Sequence, residues 1–296
     1  MLQHLLNGLT VGSIYALVAL GYTLVYGILK FINFAHGDVL MIGTYVALMV
    51  FKGLKSFIEI PFAFGIAVLA GMLSSALLGV VIERLAYRPL RHAPRLAPLI
   101  SAIGVSVILS NSAALIFGTK SQRFDMPFNN TPIHCGSLVV TPYQGLILIT
   151  AFVMMALLHV FIKTTRTGKA MRASSENPLV AELMGVDTDR MIRFTFIWGS
   201  ALGAIAGILV SLDYKVYPTL GSLIGLKAFI AAVVGGIGNI SGAMLGGLLL
   251  GVLETYGVAV LGIPVGYKDT VAFVLLIIIL LVRPSGLLGS NKRDKV

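Results

Sequence analysis

Charge is scarce in this chain. Its 296 residues include 22 lysines and arginines and 12 aspartates and glutamates, so only 11% of side chains are charged. Soluble domains carry nearer a quarter, and the shortfall excludes that class. A single cysteine, Cys135, excludes an intrachain disulfide; His134 adjoins it, but no further Cys or His stands at metal-ligand spacing, and no metal site is expected. The pattern G-x-x-x-x-G-K-[ST] is missing too, since Gly118-Thr119-Lys120-Ser121 lacks the Gly-Lys pair, so no nucleotide or other cofactor is expected on this chain. No G-x-S-x-G turn is present to hold a nucleophile near His36, Asp38 or Ser13. A catalytic role is therefore not expected, and Asp38 reads more simply as the cap of the helix that follows it.

Apolar residues make up 57% of the chain, and the mean hydropathy is +0.95. So much apolar surface excludes disorder and points to a polytopic membrane protein, in which each spanning helix takes about 20 residues to cross roughly 30 Å of hydrocarbon. Apolar stretches run at 6–28, 38–51, 61–82, 96–117, 143–162, 194–212, 224–236, 240–261 and 269–282. All read as helices, because an open strand edge is not satisfied in lipid. The expected fold is an all-α helix bundle of eight or nine membrane segments in one domain, 1–296. Stretch 6–28 has neither a basic n-region nor a small-residue cleavage site, and reads as a retained helix rather than a signal peptide. The 33 glycines, which let helix backbones approach closely, suit a channel or transporter better than a simple anchor.

Orientation follows from the basic residues of short loops, which stay on the cytoplasmic side. With the N-terminus outside, the inner segments hold Lys30; Arg84, Arg88, Arg91 and Arg95; Lys163, Arg166, Lys169, Arg172, Arg190 and Arg193; and Arg283, Lys292, Arg293 and Lys295. The outer loops hold only Lys52, Lys55, Lys120, Arg123, Lys215 and Lys268. The expected topology is N-out and C-in, and the net charge of +10 records that topology without any nucleic-acid partner.

Two stretches, 38–51 and 224–236, are short for an untilted span. Each adjoins a polar or glycine turn: Asn33-Phe-Ala-His36-Gly37-Asp38 in the first case, Gly235-Gly-Ile-Gly238-Asn239 in the second. Short or glycine-interrupted segments at corresponding places in two halves point to a translocation pathway. The echo of 61–82 in 262–282, each followed by basic residues, suggests parallel halves at about 1–95 and 194–296. Glycines 238, 242 and 246 recur at every fourth position, with 247 and 251 offset by one; they serve close packing, a pathway role, or both. Lys227 and Glu254 lie within apolar stretches, where a lone charge costs several kcal/mol. They read as a mutual ion pair, as lining of a watery cavity, as residues near an interface, or, less simply, as a proton relay.

The loop 163–193 contains Ser175 or Asn177 as a helix start, Pro178 in the first turn, Glu182 within and Gly185 as the stop. Two turns of helix presenting Leu179, Leu183 and Met184 are not stable alone. The segment is either a docking element for a cytoplasmic partner or a solvated loop.

The runs NFAHGDVLMIGTYVAL at 33–48, ERLAYRPLRHAPRLAPLISAIGVS at 83–106, GKAMRASSENPLVAELMGVDTDR at 168–190 and GGIGNISGAMLGGLLLGVLE at 235–254 resemble the shorter, LivH-type permease subunits of bacterial branched-chain amino acid ABC importers. The resemblance covers nearly the whole chain. It implies an inner-membrane protein paired with a second permease subunit, two cytoplasmic ATPase subunits that carry ATP-Mg, and a periplasmic binding protein. It also implies that 168–190 is the ATPase-coupling segment, with Gly168, Lys169, Arg172, Glu176, Pro178, Glu182 and Gly185. That segment departs from the E-A-A-x-x-x-G form, and either Glu176 or Glu182 stands where the acidic role belongs. Asn33, His36, Gly37, Asp38, Lys227, Gly238, Asn239 and Glu254 are the pathway or helix-turn candidates. The substrate class is Leu, Ile and Val, with urea, short-chain amides or other amino acids as alternatives in the wider family. An ion-coupled secondary transporter is the remaining rival.

Overall fold

Eleven helices carry the chain in a computed structural model that describes residues 1–91, 93–94, 96–125, 128–136, 138–260 and 262–289. They are α1 (Leu2–Leu29), α2 (His36–Leu54), α3 (Ile60–Ile82), α4 (Leu96–Phe117), α5 (Pro142–Thr164), α6 (Arg166–Glu176), α7 (Pro178–Leu183), α8 (Thr188–Asp213), α9 (Leu220–Gly235), α10 (Ile240–Ala259) and α11 (Lys268–Val282). Eight are long and apolar enough to cross a membrane, α3 continuing to Leu90 and α11 beginning at Val265; α9, with 16 residues, is the shorter apolar helix. Among the basic residues used for orientation, Arg95, Lys292, Arg293 and Lys295 lie outside the described residues. Each apolar stretch is helical over nearly all of its described residues, 224–236 stopping at Gly235 and 240–261 at Ala259. The strands found among the described residues form a small antiparallel hairpin, β1 (Ile133–Cys135) with β2 (Leu138–Val140), outside the apolar stretches.

Helix α2 is longer than the apolar run 38–51, because His36 and Gly37 at one end and Lys52, Gly53 and Leu54 at the other are helical. Asp38 does not cap it. The N-cap is Ala35, whose amide donates to the Asn33 side chain at 3.1 Å, and the Asp38 carboxylate points to other helices. Likewise, the loop 163–193 holds more helix than the two turns expected there: α6 fills its first part, and α8 begins at Thr188.

The bundle has a centre and a rim. Helix α1 is 89% buried over its most apolar window and α8 83%, against 11% for α4 and 6% for the α11 span. A helix that is apolar all round belongs in the interior, and α1 fills that place between α8, α9 and α10. On the rim, Leu73 and Leu77 of α3, Ile100 and Ile108 of α4, Leu157 of α5 and Leu281 of α11 are exposed, as a lipid-facing surface requires.

Lipid tails are as apolar as leucine, so helices in a bilayer associate largely through close packing of small residues. The glycine series of α10 supplies this on two faces. A Cβ on Gly246 would stand 2.1 Å from the Ala231 carbonyl oxygen of α9, and one on Gly247 2.4 Å from Cα of Ala16 on α1. Between α2 and α3, a Cβ on Gly43 would meet the Ser75 hydroxyl at 2.0 Å, where Ser75 donates to the Val39 carbonyl.

Candidate functional site

Three polar constellations interrupt this apolar packing, and the first is the α1–α2 connection. Lys30 ends α1 in the left-handed conformation, with φ of 56°. The chain then turns back into the bundle, so that the His36 ring meets Tyr22 edge-on at 4.9 Å between centroids and fills the space beside Gly21, well short of the end of α1. The α2 N-terminus therefore lies inside the bundle, where a Cβ on Gly37 would overlap the Gly221 carbonyl oxygen at 2.1 Å. Two helix starts, those of α2 and α9, meet at this point. The Asp38 carboxylate accepts from Ser106 of α4 and from Ser222 of α9, the latter at 3.5 Å. Both donors are uncharged. Helix-start dipoles favour a carboxylate there, yet the side chain is fully buried.

Asn33 is fixed from a second side. A π-helical turn, Glu83–Tyr87, prolongs α3, and the Tyr87 hydroxyl donates to Asn33 Oδ1 at 2.6 Å. Single π turns recur at functional positions. This one also places Glu83, which is buried, against Arg91; Arg91 in turn pairs with Asp189, which Arg88 also meets at 2.6 Å. Asp189 lies in the first turn of α8, at the end of the expected coupling segment 168–190.

That segment is the second constellation. Thr165 caps α6 by accepting from the Gly168 amide at 3.0 Å, and Gly168 packs so tightly on α5 that a Cβ would stand 2.5 Å from Ile162 Cα. Asn177 caps α7 by accepting from Val180, with Pro178 next in the chain. Gly185, with φ of +83°, closes α7: its amide donates to Glu182 at 2.9 Å and that of Val186 to Ala181 at 2.9 Å, the paired bonds of a glycine stop. Glu182 accepts from Thr188 and so ties α7 to the start of α8. Leu179, Leu183 and Met184 are 73%, 86% and 80% exposed. Lys169 is exposed, and Arg172 donates to the Lys163 carbonyl at 3.4 Å. A cap removal tests the local logic: Asn177→Ala should destabilise α7 by about 1 kcal/mol, read as faster amide exchange at Val180 and Ala181 with α8 unaffected.

The third constellation joins Lys227 and Glu254. Nζ of Lys227 lies 3.1 Å from Glu254 Oε1 and 2.6 Å from Asp269, while Lys268 lies 3.5 Å from Glu254 Oε2. The Tyr15 hydroxyl donates to Glu254 Oε2 at 3.0 Å and accepts from Lys227 at 3.3 Å. Two cations thus face two carboxylates. Gly238 and Asn239 stand apart from both this network and Asp38, at the α9–α10 turn, where Asn239 caps α10 through the Gly242 amide at 3.1 Å.

Ser106, Ser222, Tyr87 and Tyr15 complete these constellations, and sequence reading missed all four. Serines and tyrosines in apolar helices carry no signal of which helix they face. The Arg-rich run 84–91 with Asp187-Thr-Asp189 downstream did hold a signal, as opposite charges awaiting partners.

Comparison with known proteins fits this geometry. The sequence profile of the family described as "Branched-chain amino acid transport system / permease component" matches residues 4–280. The chain is 46% identical over 307 residues to the high-affinity branched-chain amino acid transport system permease protein BraD of Pseudomonas aeruginosa, covering 100% of this chain and 98% of that protein. It is 45% identical over 305 residues to the corresponding protein LivH of Escherichia coli K12, covering 100% and 97%. The probable branched-chain amino acid transport permease protein LivH of Methanocaldococcus jannaschii is 30% identical over 287 residues, covering 94% and 89%. An apolar bundle with buried polar turns, matched from end to end in this way, belongs to the permease components of branched-chain amino acid ABC transport systems, a family of non-catalytic, multi-pass membrane subunits.

Proposed function

We propose that this chain, in the bacterial inner membrane with its N-terminus outside, forms with a second permease subunit the pathway of an ATP-driven importer for leucine, isoleucine and valine. A periplasmic binding protein delivers the substrate, and two cytoplasmic ATPase subunits, which hold ATP-Mg, drive its passage. The observation that carries this reading is the exposed apolar face of α7, held out by a capped start and a glycine stop. Such a face in water needs a protein cover, and an ion-coupled carrier has no use for one. In this reading Gly168, Lys169, Arg172, Glu176, Pro178, Glu182 and Gly185 shape the ATPase contact. Motion of α7 passes to α8 through Glu182 and Thr188, and reaches the 33–38 turn through Asp189, Arg91, Glu83 and Tyr87.

Asp38 is the pathway residue we assign to the substrate's ammonium group, because its carboxylate is held by two hydroxyls and meets helix starts rather than a cation. The dipoles of those starts suit the carboxylate end. Asn33, His36 and Gly37 place Asp38; Gly238, Asn239, Lys227 and Glu254 shape the second half, with 1–95 and 194–296 as parallel halves.

Uptake by the complete transporter in proteoliposomes tests this reading. Labelled leucine should accumulate only with internal ATP and the binding protein, and accumulation driven by an ion gradient alone refutes it. Asp38→Asn should lower uptake about tenfold or more, the loss expected when a charged hydrogen-bond partner is removed, with assembly intact. Leu183→Asp with Met184→Asp should abolish co-purification of the ATPase subunits while the permease still inserts.

A further inference from the structure

A cavity of about 530 Å³ opens at the end of the bundle where α1 and α5 finish and α10 begins. Lys30 from the end of α1, His159 and Lys163 from the last turns of α5, and Arg172 from α6 converge on it, and among the described residues its lining holds no carboxylate. The remaining wall is the start of α10, where the amides of Ile240 and Ser241 precede the first intrahelical bond, made by Ala243 to Asn239 at 2.9 Å. Lys30, desolvated at the end of α1, is held below the ordinary lysine pKa. Three long cations that meet no carboxylate in the described lining of one concavity repel one another, and an anion seated among them relieves that repulsion.

We propose that this cleft binds a phosphate group, and that an anionic phospholipid is the molecule that supplies it. The position of Lys163 favours the lipid. Ile149, Phe152, Val153, Leu157 and Val160 are exposed along α5 at helical spacing, and Lys163 continues that stripe by one turn. Acyl chains lying on the stripe bring a headgroup to the mouth of the cleft, in the arrangement by which basic pockets at the ends of membrane helices hold acidic lipids. The consequence reaches beyond adhesion. A phosphate bridging Lys30, Lys163 and Arg172 fastens α6, which leads into α7, to the bundle.

The test uses the full chain in detergent, with dioleoyl phosphatidylglycerol, dioleoyl phosphatidylcholine and inorganic phosphate as probes. Lipid retained per chain is read by native mass spectrometry, and phosphate by the shift in Tm. The chain should retain phosphatidylglycerol in preference to phosphatidylcholine. Lys30→Gln with Lys163→Gln should weaken that binding about thirtyfold, the loss expected for two basic groups at a membrane surface. Lys30→Arg with Lys163→Arg should keep it, as should Lys52→Gln with Lys120→Gln away from the cleft. If the double glutamine variant does not fold, Lys163→Glu alone should weaken binding at least fivefold. A Tm rise with inorganic phosphate equal to that with phosphatidylglycerol, lost in the glutamine variant, keeps the phosphate site and moves its source to the free ion. Equal retention of the two lipids with no phosphate effect, or binding unchanged in the glutamine variant, overturns the proposal.

Discussion

Lys227→Met should lower the stability of the chain by about 3 kcal/mol or more, the loss typical when one partner of a buried ion pair is removed. Glu254 is the reason. Its side chain is fully buried, and without Lys227 it keeps only the Tyr15 hydroxyl and Lys268 at 3.5 Å. Asp269 suffers less, because it is 49% exposed and water takes the place of the ammonium. The double variant Lys227→Met with Glu254→Met should recover most of the loss, since apolar residues of similar volume often replace a buried pair at little cost. Unfolding by SDS, followed through Trp198, measures all three chains. The same pair of variants separates structure from ion coupling: a structural network predicts that the double variant transports, whereas a proton or cation carrier loses transport in both. Two cations already neutralise two carboxylates here, so a coupling ion finds no excess negative charge.

The contrast between this network and Asp38 explains what was legible in the sequence. Lys227 and Glu254 stand out as charges in apolar runs, and the cost of burying each alone left a mutual pair, a watery cavity, an interface position or a proton relay open; the structure places the two 3.1 Å apart. The membrane class, the helical stretches, the start of α7 at Ser175 or Asn177 and its stop at Gly185 were readable because each is local, set by composition or by residues within one turn. Helix ends where polar residues continue an apolar run were not, and so α2 outgrew its prediction. The α1–α2 turn was visible as polar punctuation. Its depth in the bundle was not, because depth depends on Lys30 reversing the chain and on Gly21 leaving room for the His36 ring. Asp38 misled for the same reason: three residues from a helix start, it has the position of a capping acid, while its partners lie on α4 and α9.

Gly251→Val should prevent α1 and α10 from closing on each other, with a loss of about 3 kcal/mol, at the upper end of ordinary overpacking costs. A Cβ at this position would stand 2.2 Å from the Gly12 nitrogen, 2.3 Å from its Cα and 2.6 Å from the Gly8 carbonyl oxygen. All three are backbone atoms. No rotamer change clears them, so α1 itself must move, and α1 is the helix around which α8, α9 and α10 are arranged. The reciprocal position gives the same result, since a Cβ on Gly12 would meet the Gly247 carbonyl oxygen at 2.9 Å and Leu248 Cα at 2.8 Å. Gly104→Val on α4 is the matched control, because nothing lies within 4 Å of a Cβ there. It should change stability by less than about 1 kcal/mol, the range of intrinsic helix preferences. Folded yield in detergent and SDS unfolding distinguish the two substitutions. Should Gly251→Val match Gly104→Val in both, helix contact at Gly12 and Gly251 does not hold the bundle together. A loss confined to Gly251→Val means that the α10 glycines act through proximity of backbones, whatever else lines the pathway.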